Sequence, residues 1–166
     1  MSEDHPDYVT QLLHHFADLR DGTHGGAADR PGKEHRFEAA VPLIDPYARQ
    51  SLDEVNAGLL GGAGEVGASG YQPGADGPYA EWVLTWPEQQ AAAISPVTIR
   101  AYYGRHNSHP HLRGATVGDW PLNVFDARQA AAVLPTCRAI ASADLHNLVF
   151  QAGWQIVPAI TAGWTP

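Results

Sequence analysis

Three histidines (His106, His109 and His111), two arginines (Arg105 and Arg113), Asp119 and Trp120 share one stretch, Gly104 to Pro121, which reads GRHNSHPHLRGATVGDWP. His109-Pro110-His111 is its sharpest local signal. In extended backbone, residues i and i+2 face the same way, and a proline favours the extended state in its predecessor. Two imidazoles on one face can hold one divalent ion, which then needs a third ligand and an open position for catalysis. His106, Asp119, His24 and His146 are the candidates for that third position. Such an ion acidifies a bound water or polarises a substrate carbonyl. The pattern lacks the acidic residue that follows in cupins, the trailing Asp-His of metallo-β-lactamases, and the helical Glu of zinc proteases.

The same residues also support chemistry without a metal. One of His109 and His111 can act as general acid or base, because an imidazole titrates near neutrality. Arg113, with Arg100 or Arg105, can clamp a carboxylate or phosphate through paired hydrogen bonds. Asp119 can fix an imidazole tautomer. Tyr102, Tyr103 and Trp120 offer apolar walls, and His24 sits in a glycine-bordered loop able to lie against them. The plainer alternatives are a salt bridge from Arg113 to Asp119 or Asp126, and core packing for Trp120. The expected chemistry is that of a lyase, isomerase, hydrolase or oxygenase acting on a small anionic or aromatic molecule.

Composition narrows the field. The 166 residues are one domain's worth, 44% hydrophobic and 17% charged, which suits a compact fold. A formal net charge of −8 disfavours nucleic acid and anionic membrane as partners. Cys137 is the only cysteine, so there is no intrachain disulfide and no thiolate cluster. Any bound metal is then Zn, Fe, Mn or Ni on imidazole and carboxylate. Cys137 itself reads as a buried small hydrophobe. GxSxG does not occur, and the glycine-rich 20–30 loop is not GxGxxG and lacks the strand-then-helix setting of a phosphate loop, so neither a serine-hydrolase elbow nor a nucleotide cofactor is expected. The acidic start, MSEDHPDYVTQ, is unlike a signal peptide, and no apolar window reaches membrane-spanning length; a cytoplasmic location is the expectation. One lysine against abundant Ala, Gly and Arg fits a bacterial, GC-rich source. The tryptophans and the glycine-rich connector permit a homodimer.

Several elements must position the loop. Pro6 to Leu19 predicts an amphipathic helix capped by Asp4, with Val9, Leu12, Leu13, Phe16 and Leu19 on its apolar face. His14 and His15 read as surface or core-edge packing residues within it. Lys33 to Leu43 is a helix ended by Pro42, or a strand. Ser51 with Glu54 suggests a capping box that opens a further helix carrying Leu52, Val55, Leu59 and Leu60. A glycine-rich connector or lid follows at about 61–77, with a short strand near 65–69. Tyr79 to Trp86 and Val97 to Tyr103 alternate as strands, separated by a helical turn from Pro87. The second strand delivers the 104–121 loop. Leu122 to Phe125 suggests a short strand, and Asp126 caps a helix that Pro135 interrupts before another runs to Phe150. Asp144 reads as surface-facing. The tail reads as an edge strand or a strap. The sum is a single α+β domain: a small antiparallel sheet packed by helices from both ends of the chain.

The run from Trp86-Pro87 through Pro96-Val97 and His109-Pro110-His111 to Trp120-Pro121, followed by a helix, resembles the ubiquitin-conjugating (E2-like) core over some 60 residues. That family's catalytic cysteine follows its His-Pro-Asn turn, and no cysteine lies between His111 and Trp120. The resemblance therefore implies a non-catalytic protein-interaction module in which His-Pro-His is a structural turn.

Overall fold

The computed structural model describes residues 4–166; Met1–Glu3, where the acidic N-terminal stretch begins, lie outside the described residues. Two helices come first, α1 (Asp7–Asp21) and α2 (Arg30–Leu59). An antiparallel sheet follows: β1 (Glu65–Ala68), β2 (Gln72–Gly74), β3 (Gly77–Thr85), β4 (Val97–Tyr102), β5 (His111–Arg113) and β6 (Trp120–Pro121). The short α3 (Pro87–Ala91) interrupts it, and α4 (Ala127–Ala132), α5 (Leu134–Ala152) and α6 (Pro158–Thr161) close the chain. Strand order is β1-β3-β4-β5-β6, with β2 also on β3. The α+β class is as the sequence predicts.

β3 and β4 form the centre, in a register that places Tyr79 opposite Tyr102 and Leu84 opposite Val97. Ala80, Trp82 and Leu84 of β3 face inward with Val97, Ile99 and Ala101 of β4, all essentially buried. This strict alternation marks a sheet covered on one face. The cover is α2, through Phe37, Val41, Ile44, Ala48 and Leu52, and α5, through Cys137, Ile140, Ala141 and Leu148. Trp82 Nε1 donates to Asp45 Oδ1 at 2.8 Å and Trp86 Nε1 to the Ile156 carbonyl at 2.7 Å, so both buried indoles are satisfied.

Several local expectations are corrected. α2 is one continuous helix through Pro42 and Pro46. An internal proline costs about 3 kcal/mol, and here one wholly buried apolar face offsets it. Its cap is Asp29, whose Oδ1 accepts from Gly32 N at 2.8 Å. Ser51 lies mid-helix and donates to the Tyr47 carbonyl at 2.9 Å, so it opens no capping box. Asp4 does not cap α1; Pro6 holds that position without a side-chain bond. In the 61–77 connector the strand expected near 65–69 is present as β1, the addition is β2, and Gly61 and Gly62 end α2 as expected with positive φ values. Residues 104–121 are not all loop, since β5 and β6 lie within them, and 122–125 is not a strand. The tail is a 3-10 turn (Trp154–Ile156) and α6. No described helix is long and apolar enough to cross a membrane.

Candidate functional site

The stretch after β4 is held from below by Arg30, at the start of α2. Its Nη2 donates to the Tyr103 carbonyl at 2.9 Å and the Gly104 carbonyl at 3.1 Å. Nη1 donates to the Asn107 carbonyl at 3.0 Å, and the guanidinium lies 3.6 Å above the Tyr103 ring. Tyr103 donates its hydroxyl to the Ser108 carbonyl at 3.0 Å. These bonds close residues 103–108 into a compact turn and deliver Pro110 to β5. No motif in the sequence points to Arg30, because its partners lie more than 70 residues away.

β5 is too short to bury a face of its own, yet its pairing sets the histidines. Tyr102 lies opposite His111 and Leu112 opposite Trp120. His109 and His111 face the same way, with their Nε2 atoms 3.1 Å apart. As a hydrogen bond, that contact requires one nitrogen of the pair to carry the proton. Ser108 Oγ sits 2.9 Å from His109 Nδ1. His111 Nδ1 is buried with no hydrogen-bond partner, and its ring stacks on Tyr102 at 5.7 Å.

The third imidazole comes from α1. His15 is buried and stands edge-on to His109, with ring centroids 3.6 Å apart. Its Nδ1 meets the Asn123 side-chain amide, 3.2 Å from Oδ1 and 2.9 Å from Nδ2. His15 reads from the sequence as a surface or core-edge residue, and the structure buries it in the imidazole cluster. A signal existed in its polar neighbours, since Gln11, His15 and Asp18 share one side of α1. Burial is the largest influence lowering His109 to about 4, with repulsion from His15, His111 and His24 adding to it. His111 is lowered too, by burial first, with Asp119 opposing.

The remaining predicted residues scatter around this cluster. His24 is buried, packs its ring 4.8 Å from Phe125, and leaves Nδ1 unpaired; burial pushes it down to about 4. Asp119 is exposed, and the Tyr102 hydroxyl has its pKa raised first by burial and then by that carboxylate. Arg113 Nε donates to the carbonyl of the next residue, Gly114, at 3.2 Å. Arg100 lies over Tyr79 and pairs with Glu81 across the β3–β4 ladder. Trp120 is half-buried against the core. His106 is exposed, and His146 is exposed on α5, stacked on Phe150 at 4.4 Å, so neither joins the imidazole cluster. Among the described residues no group of three or more His, Cys, Asp or Glu side chains is set as a metal centre.

The space beside the imidazoles is small. A cleft of about 40 Å³ lies between His15, Asp18, Lys33, Ser108 and His109, well below the few hundred Å³ of ordinary ligand sites. A cleft of about 430 Å³ gathers Arg100, Tyr102, Arg105 and His106, and it excludes His109, His111 and Arg113.

Asp144 also departs from expectation. It is wholly buried, accepting from Thr98 N at 2.9 Å, Thr116 N at 2.7 Å and Thr116 Oγ1 at 2.6 Å. This carboxylate ties α5 to the start of β4 and to the loop after β5. It is a structural tie.

The other unusual surface is α1 itself. The periodicity predicts that Leu12, Leu13, Phe16 and Leu19 are buried, and the structure turns them outward. Their relative exposures are 38%, 52%, 58% and 64%, and Tyr8 adds 69%. The side facing the body is polar: His15 on Asn123, the Gln11 carbonyl accepting from Asn123 Nδ2 at 3.4 Å, and Asp18 accepting from Thr23 Oγ1 at 2.9 Å. α1 is thus an amphipathic helix docked by its polar face.

The chain matches no protein-family model, no curated protein and no solved structure.

Proposed function

We propose that this chain is a protein-interaction domain without catalytic chemistry of its own, and that it docks another polypeptide through the outer face of α1. The orientation of that helix carries the reading. Scattered exposed apolar residues are ordinary, whereas five large ones aligned on four turns of helix mark a contact surface. Cys137, the one cysteine, is not placed to act as a nucleophile. It is buried on α5, and burial pushes its thiol up to about 12.

The test compares two double variants of the full chain, affinity-purified from its native cells. Leu12→Asn with Phe16→Asn is expected to lose a co-purifying protein that the parent retains. His109→Gln with His111→Gln is expected to keep it. The reverse pattern would overturn the reading.

One observation favours a second reading. The His109 and His111 Nε2 atoms, 3.1 Å apart, are near the roughly 3.3 Å edge that two ligands at about 2.05 Å subtend on a tetrahedral ion. On that reading the pair holds Zn, Fe, Mn or Ni beside a small anionic or aromatic molecule. Elemental analysis of untagged protein tests it: a stoichiometric metal lost in the His109→Gln, His111→Gln variant supports it, and a metal-free parent that takes up none on dialysis sinks it.

A further inference from the structure

Resting on the docking reading above, we infer that the partner presented to α1 is a basic amphipathic helix. The stripe fixes the form. Tyr8, Leu12, Phe16 and Leu19 follow one another at i, i+4, i+8 and i+11, with Leu13 beside them. A 15-residue helix offers about 22 Å of ridge, which suits a second helix laid along it with anchors at i, i+3, i+4 and i+7.

Charge fixes the sign. Asp4 and Asp7 flank the N-terminal end of the stripe and Asp21 its C-terminal end, while Asp18 faces the body beside Lys33 and Arg128 shares a cleft with Asp7; the one cation of the helix itself is Arg20. That cation is already held by Asp21, with Nε on Oδ1 at 2.7 Å and Nη2 on Oδ2 at 2.9 Å. A second copy of this chain would bring carboxylates onto carboxylates, within a net charge of −8 on each molecule. An anionic lipid surface is disfavoured for the same reason. Lysine or arginine flanking an apolar face is the complement, adding speed and selectivity to the apolar contact.

The probe is a fluorescently labelled amphipathic peptide of about 18 residues built from Leu and Lys, with a Leu/Glu peptide of the same pattern as its opposite. Anisotropy is read against the full chain. Saturable binding of the Leu/Lys peptide is expected, at least tenfold weaker in Leu12→Asn with Phe16→Asn. Phe150→Asn, which removes an 80% exposed aromatic elsewhere, is expected to change nothing. Asp4→Asn with Asp7→Asn is expected to weaken binding and flatten its salt dependence. The substituted side chains are solvent-exposed, and circular dichroism melts confirm that each variant is folded.

The inference is overturned if the Leu/Glu peptide binds as well, or if Phe150→Asn weakens binding as much as the α1 variant. It is also overturned if sedimentation shows parent self-association that the α1 variant abolishes, or if phosphatidylcholine vesicles are captured with the same dependence on Leu12 and Phe16. If the Leu/Lys peptide fails while Leu12→Asn with Phe16→Asn still releases a co-purifying protein, only the basic character falls. If both fail, the docking reading falls with it.

Discussion

His15 of α1 stands edge-on to His109 of the His-Pro-His turn, ring centroids 3.6 Å apart at an interplanar angle of 72°. Two elements nearly a hundred residues apart therefore meet through imidazoles rather than through aliphatic side chains. That contact tolerates neutral rings and resists charged ones.

Acid is accordingly expected to loosen the molecule here first. His109 is held at about 4 and His24 at about 4, against an ordinary 6.5, and His111 is lowered as well. The unfolded chain binds these protons more readily than the native one. Stability is therefore fully present above pH 6.5 and declines as pH falls through the interval down to about 4. Asp119 opposes the effect at His111 and Asp18 opposes it at His24, where His15, Lys33 and Arg36 reinforce it. Thermal melts between pH 7.5 and 4 check this. His109→Gln is expected to flatten the slope, and an unchanged slope would count against the cluster as its source.

Asp144→Ala is expected to cost about 2 kcal/mol, because it strands the buried Thr98 amide and releases the amide and hydroxyl of the exposed Thr116. Asp144→Asn keeps one acceptor oxygen and is expected to cost less. Chemical denaturation of both variants measures the difference.

Arg30→Met removes the three carbonyl contacts that close residues 103–108 and is expected to cost about 2 kcal/mol. Hydrogen exchange gives the local readout. The amides of Arg105 and Asn107, bonded to the Asp76 and Gly104 carbonyls, are expected to exchange faster than those of β4.

Cys137 is expected to resist iodoacetamide in the native protein and to react only on unfolding, since its thiol is buried and raised to about 12. Cys137→Ala is expected to cost about 1 kcal/mol without changing partner capture.

The fold was legible where one local pattern was decisive. Ala80, Trp82 and Leu84 alternate, Val97, Ile99 and Ala101 do the same, and both segments are strands with those faces inward. Reading failed where tertiary burial overrode a local rule. Pro42 reads as a break, yet α2 runs through it and through Pro46 because its buried face repays the lost bonds. Asp144 read as surface because its partners, Thr98 and Thr116, are distant in sequence. The site was legible in half. Proline-spaced histidines predicted that His109 and His111 share a face. Their third neighbour was sought at His106, Asp119, His24 and His146, and His15 arrived from a helix whose apolar spacing promised the opposite orientation. Period alone gives a helix two faces and does not say which of them meets the body.

No residue of α1 belongs to the apolar core, which begins at Phe37. The segment leading out of α1 is anchored as well, with His24 buried against Phe125 and Gly25 close to that ring. A partner that grips the outer face of α1 is therefore tethered to the domain through imidazole and amide contacts, His15 and Gln11 on Asn123 and His15 on His109, and not through hydrocarbon.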